Sequence, residues 1–232
     1  HRQAGRIAIE AGAFDAAAAH LAQALSAILQ KLGEDHLEVI EIRVLQATLQ
    51  ARRNPGVGTV KRIKVFPWGT AIETLKKHVT RVAGGRTAAD RRTRRKIRTL
   101  STMMLELVSG HGYLGFLDVM LFDVAQLAHV AAAGDAITRM ASRFGTGDGR
   151  LAKLVRQRQD AIERWQTLDR TLSAAAGDAG TDADAPTALA TARTGLAAVS
   201  RRIAEIDSVL AAEFPEFAEM TDLRFVDWRQ VA

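Results

Sequence analysis

The stretch Leu151-Ala-Lys-Leu154-Val-Arg-Gln-Arg158-Gln-Asp-Ala161-Ile-Glu-Arg-Trp165-Gln-Thr-Leu168-Asp-Arg-Thr-Leu172 carries its apolar or long-stemmed residues at alternating spacings of three and four. A seam with that spacing stays on one side of a helix and buries against a second helix. A second stretch does the same with Leu189, Ala192, Leu196, Val199, Ile203, Ile206 and Leu210. Between them, residues 177–186 (GDAGTDADAP) are too polar and too broken by Gly and Pro to be helical. Folding the chain back there predicts antiparallel layers in one register: 172 with 189, 165 with 196, 158 with 203 and 151 with 210. Trp165 then lies in the core opposite Leu196. Arg158 falls on a core layer. Its stem is expected to pack while the guanidinium reaches solvent or a neighbouring carboxylate; the alternative is that it sets the register, as a single polar core residue does. Helices of about 25 residues would reach roughly 38 Å.

Composition agrees with a helical chain. Of 232 residues, 47% are hydrophobic but only 5% aromatic. An Ala- and Leu-rich, aromatic-poor composition favours helices over sheets. No run of 18 apolar residues occurs, so no membrane span is expected. Cysteine is absent, which excludes disulfides, thiolate zinc sites and a Cys nucleophile in this chain and fits a cytoplasmic protein. Residues 1–116 hold 19 Lys+Arg against 9 Asp+Glu, a net of +10, whereas residues 117–232 hold 13 against 17, a net of −4. Anionic partners would therefore be drawn to the first half. Arg outnumbers Lys 25 to 7, which points to a GC-rich bacterial gene.

Upstream of the paired seams the chain reads as further helices. Residues 2–30 form two short helices broken at Gly12. The spacing Gly5, Gly12, Phe14, Ala17, Leu21, Ala24 is that of a tetratricopeptide repeat, with small residues where the two helices touch. The loop Leu32-Gly33-Glu34-Asp35-His36-Leu37 leads to a helix over about 38–53, stopped by Asn54-Pro55-Gly56. One repeat cannot bury its own apolar face and roughly three are needed. Further repeats are therefore expected before His1, with residues 54–145 capping the array. Val57 to Phe66 reads as a short strand or an irregular basic loop. A helix over 70–83 buries Ile72, Leu75, Val79 and Val82, and Gly84-Gly85 ends it. Thr87 with Asp90 caps the next helix, which runs to about Val108 with Ile97, Leu100, Met104 and Leu107 inside. Gly110, Gly112 and Gly115 break it. A helix over about 116–143 comes next, with Leu117, Leu121, Val124, Leu127, Ala128, Ala131 and Ile137 as candidate core.

Two further segments resemble a known family. Phe122-Asp-Val-Ala-Gln126 and then Ala141-Ser-Arg143-Phe-Gly-Thr-Gly147-Asp148-Gly-Arg-Leu151 through Asp160 resemble the region before the protease domain of bacterial TPR–CHAT proteins, caspase-like proteases joined to tetratricopeptide arrays. The second marker is Ile206-Asp207-Ser-Val-Leu210-Ala-Ala-Glu213-Phe214-Pro215-Glu216-Phe217, similar to an element that succeeds the second coiled-coil helix in that family. Val226-Asp-Trp228-Arg-Gln-Val231 matches the start of a short helix that leads into the protease. The Leu32–Leu37 turn resembles that of the longer repeats in kinesin light chains. The resemblance implies an all-α chain: a truncated tetratricopeptide-type array at 1–53, a divergent helical region at 54–145, an antiparallel coiled-coil hairpin at 146–213 and a linker helix at 214–232. It implies a catalytic His–Cys dyad beyond Ala232 and none here.

No residue presents itself as catalytic. His111 in Ser109-Gly110-His111-Gly112 has no Cys to activate and reads as a turn between helices. His20, His36, His78 and His129 lack ligand spacing, and no metal or other cofactor is expected. Gly145-x-Gly147-x-Gly149 reads as a helix-to-helix turn rather than a phosphate loop. The one candidate binding cluster is basic: Arg86, Arg91, Arg92, Arg94, Arg95, Lys96 and Arg98. Clustered arginines neutralise phosphates, yet no aromatic residue interleaves to stack bases. The expected function is non-catalytic: binding a protein partner and relaying that event to a downstream protease. A basic nucleic-acid-binding module and an oligomerisation scaffold are the alternatives.

Overall fold

Every described element is a helix. The computed structural model describes residues 1–53, 66–82, 87–109, 119–131, 149–178, 185–221, 223 and 225–227. In chain order the helices are α1 (Arg2–Glu10), α2 (Phe14–Leu32), α3 (Leu37–Arg53), α4 (Trp68–Arg81), α5 (Ala88–Ser109), α6 (119–131), α7 (Arg150–Asp178), α8 (Ala185–Glu213) and α9 (Pro215–Thr221). The expected strand or loop before Phe66, the breaks at Gly84-Gly85 and Gly110 to Gly115, the turn around His111, the segment 132–148 and the bend at 179–184 lie outside the described residues. So does Arg86.

The residues gather into two compact units. The first takes His1–Lys77, Ile97–Ala128 and Phe225–Ala232; the second takes His78–Lys96 and His129–Arg224. The helices α4 and α5 each contribute to both units.

In the first unit, α1 and α2 approach closely where Gly5 has no side chain. A Cβ there would lie 2.8 Å from the Leu21 side chain, and Leu21 is fully buried. Gly33 ends α2 with φ +86, a left-handed conformation that costs glycine nothing. His36 then accepts from the Glu38 backbone N–H through Nδ1 at 3.2 Å, satisfying one of the orphan donors at the start of α3. Ile9, Ala17, Leu21, Ala24, Ile42, Leu45 and Leu49 make one core, and Met103 of α5 packs against it. Each fully buried aliphatic contributes about 1.5–3 kcal/mol. Arg2 bridges α1 to α3 through Glu38 (3.3 Å) and Glu41 (3.1 Å), and Arg53 reaches Asp15 of α2 at 2.7 Å.

In the second unit, α7 and α8 pack along their length. Leu168 lies under Gly195, Arg158 donates from Nε to Asp207 at 2.6 Å, and Arg150 grips Glu213 with two bonds. Residue numbers rise along one helix as they fall along the other. Trp165, Val199 and Ile203 are buried in one cluster with Leu168 and Leu196 against it; Ile206 and Leu210 are buried in another with Leu151 and Leu154 against it. Leu172, Leu189 and Ala192 are buried as well. Arg158 thus has the neighbouring carboxylate that its position called for.

The α7 stripe is wider than the heptad implied. Ala152, Val155 and Ile162 are buried at 2%, 3% and 1%, although none belongs to the seam, whereas Leu151, Leu154 and Leu168 are only partly covered. Val155 clusters with Ile206 and Leu210, and Ile162 with Val199 and Ile203, so both widen the face that α7 turns to α8. Pro215 opens α9, where its missing N–H is no loss, and Phe217 closes over Val155, Ile206 and Leu210. Residues 225–227 are not helical, and the rest of the segment 226–231 lies outside the described residues.

Gly5→Val should overpack the α1–α2 contact. A loss of about 1–3 kcal/mol in urea denaturation is expected; an unchanged midpoint would mean that the close approach does not hold in solution.

Candidate functional site

The basic cluster sits on α5, and its start is set by local chemistry. The Thr87 N–H and hydroxyl both donate to Asp90 Oδ2 at 2.7 Å, while the Asp90 N–H donates to Thr87 Oγ1 at 3.0 Å. This reciprocal cap satisfies orphan donors at the helix start and fixes the rotation of the next turn. That rotation sorts the basic residues. Arg91, Arg92, Arg95 and Arg98 are exposed, and Lys96 is half-buried.

Arg94 is a correction. It points inward, is 4% exposed, and donates from its guanidinium to the Val82 carbonyl at 3.1 Å. Ile97 and Leu100 are buried on the same side, about one and two helical turns beyond the Arg94 position. A basic residue at that angle must enter the interior, and it is retained by giving its protons to the end of α4 rather than to a ligand. The exposed basic residues of this cluster among the described residues are therefore Arg91, Arg92, Arg95 and Arg98, with Lys96 half-buried.

A second constellation lies outside the sequence reading. The Arg81 guanidinium lies over the Trp165 ring, 3.9 Å from its centroid, and His78 meets the same ring edge-on at 5.7 Å. Burial pulls the Arg81 guanidinium below its ordinary value; the charge of Asp169 opposes this and that of Arg158 adds to it. One helical turn separates His78 from Arg81, so both reach the same indole from the last turn of α4. Next to Trp165, Gln166 donates to Asp90 Oδ1. The Asp90 carboxylate, 1% exposed, is thus committed to the α5 cap on one oxygen and to α7 on the other. The Thr87–Asp90 spacing was legible in the sequence. The indole's partners lie more than 80 positions away with no motif between them, so no local signal pointed to them.

At the far end of α7 and α8, a hollow of about 770 Å³ is lined by Leu151, Phe214, Pro215 and Phe217 and rimmed by Glu213, Glu216 and Glu219. The Arg150 hydrogen bonds hold the Glu213 carboxyl below the usual carboxylate range and raise the guanidinium in turn. Among the described residues no group of three His, Cys, Asp or Glu side chains could hold a metal ion, and no helix is long and apolar enough to cross a membrane. No family model, curated protein or solved structure matches the chain.

Arg94→Ala removes a charged donor from a buried carbonyl and should cost about 1.5–3 kcal/mol, whereas Arg92→Ala on the exposed side should stay within about 0.5 kcal/mol. Equal midpoints in chemical denaturation would refute the sorting of these two arginines. The Glu213 carboxyl, held by Arg150, should titrate below an unpaired glutamate when monitored by carbon-detected NMR. Its pKa is lowered in the folded chain, so the bridge contributes above the ordinary carboxylate range and is lost as pH falls through the folded-state midpoint. Arg150→Gln should return that midpoint to the ordinary range.

Proposed function

We propose that this chain is a non-catalytic protein-interaction and regulatory region of a CHAT-type cysteine protease, working in the bacterial cytoplasm. In this proposal α1–α3 are the end of a tetratricopeptide-type array, and α7 with α8 are an antiparallel coiled-coil hairpin leading toward a protease domain further along the gene product. A protein partner binds the repeats, and the hairpin relays that event.

The observation that carries the reading is the pairing of two 29-residue helices with polar ties at its open end and its middle. Arg158–Asp207 lies between the two apolar clusters and Arg150–Glu213 at the end of one, so the pair has a defined register. Helices of this length span about 43 Å, a distance over which a tilt at one end becomes a displacement at the other. The close α1–α2 contact at Gly5 supports the repeat assignment, since small residues belong where the helices of a repeat touch. A relay also demands that the partner favour one hairpin orientation over another, because a ligand shifts an equilibrium only by its differential affinity.

The reading frame beyond Ala232 tests the assignment. A His-Gly pair and a later Cys within the next couple of hundred codons are expected; a frame that closes without them overturns it. Hydrogen exchange on the full-length protein tests the relay separately: partner binding should change exchange within 146–217, and uniform exchange there would refute it.

The exposed side of α5 favours a second reading, a nucleic-acid surface built on Arg91, Arg92, Arg95 and Arg98. The burial of Arg94 and the lack of aromatic residues between 86 and 98 weigh against it. Retention of single-stranded RNA on a filter at low salt, lost at high salt, would favour this surface over a protein partner.

A further inference from the structure

The first unit holds a contact that neither the repeat nor the hairpin explains. Gln126, half-buried on α6, uses both ends of its side-chain amide on one residue. Its Nε2 donates to the Val226 carbonyl at 3.0 Å, and its Oε1 accepts from the Val226 N–H at 2.7 Å. Those bonds need the N–H and C=O of Val226 on the same side, the arrangement by which an antiparallel strand residue exchanges both bonds with its partner. A carboxamide has the donor and acceptor of a peptide group, so Gln126 stands in for a neighbouring strand. The Val226 side chain is 41% exposed and contributes little to the contact. Recognition is by backbone.

One residue earlier, Phe225 lies beneath Lys76 of α4, whose Nζ is 5.2 Å from the ring centroid. Lys76 is fixed by Asp123, one turn before Gln126 on α6, at 3.2 Å. Asp123 thus orients the cation that reads the aromatic ring, and Gln126 reads the next peptide unit. The two side chains are three residues apart, on the same face of α6.

We propose that Gln126, Lys76 and Asp123 form a peptide clasp, a site that takes an extended segment through its backbone and one aromatic side chain, with residues 225–227 as its resident occupant. The ligand class is an aromatic residue succeeded by any residue with a free backbone N–H. Because the polar contacts are exposed to water, the clasp is reversible, and residues 225–227 alternate between held and released states. The clasp stands independently of the protease assignment.

Residue-resolved hydrogen exchange on the full chain tests the resident state. Gln126→Ala should speed exchange of the Val226 amide about fivefold, the size of one net hydrogen bond, with Val124 and Leu127 unchanged as controls for folding. A labelled peptide of residues 221–230 tests the site itself. Val226→Pro removes the resident N–H and vacates the clasp, so this variant should bind the peptide more tightly than the unaltered chain. Adding Gln126→Ala should abolish that binding. Equal Val226 exchange with and without Gln126 overturns the proposal. So does a Val226→Pro chain that binds no peptide, or that binds it equally well after Gln126→Ala.

Discussion

α7 packs on α8 through a wide apolar face and meets α4 and α5 through Trp165 and Gln166, and the second unit is organised around those contacts. Its heptad seam meets α8 through Trp165, Leu172, Val199, Ile203, Ile206 and Leu210. Val155 and Ile162, as deeply buried as any seam residue, flank that seam and pack with the same α8 residues. Apolar burial supplies the driving force but little direction. Direction comes from polar groups that have one satisfactory arrangement. The Trp165 indole takes Arg81 on its face and His78 on its edge, and Gln166 reaches Asp90. A cation over a partly desolvated indole contributes about 0.5–2 kcal/mol. A displaced Asp90 would leave a buried carboxylate without its donors, which costs more than any of these contacts gives.

The same residue type meets opposite fates along α5. Arg94 is interior and donates to the carbonyl of Val82, while Arg91, Arg92, Arg95 and Arg98 face water. Helical angle makes the difference: with 3.6 residues per turn, 94, 97 and 101 share one side, and Ile97 and Ser101 are fully buried there. A run of basic residues is therefore not a uniform electrostatic patch. Its surface charge depends on which members the helix turns inward, and here the turn is set by the Thr87–Asp90 cap.

The first unit relies on close approach instead of long seams. Gly5 admits Leu21, and the core of α1–α3 forms above that contact. The hold on residues 225–227 is of another kind, polar and half-exposed, built from Gln126, Lys76 and Asp123. A packed core resists opening, whereas a clasp of exposed hydrogen bonds opens at little cost.

Periodicity, composition and capping signals determined by themselves that the chain is helical, where most helices lie, that Thr87 and Asp90 begin one of them, and that 151–172 and 189–210 carry complementary apolar stripes. These are properties of neighbours in sequence, governed by a period of 3.6 and by groups three or four positions apart. Tertiary structure alone decided that Val155 and Ile162 join the buried face of α7, that Arg94 is interior, that Arg81 and His78 converge on Trp165, that Gln126 holds Val226, and that residues 225–227 are not helical. Each of those depends on which distant surface arrives to exclude water. An arginine or glutamine reads the same in a sequence whether it meets solvent, an indole or a peptide group, because its long stem and polar head suit all three.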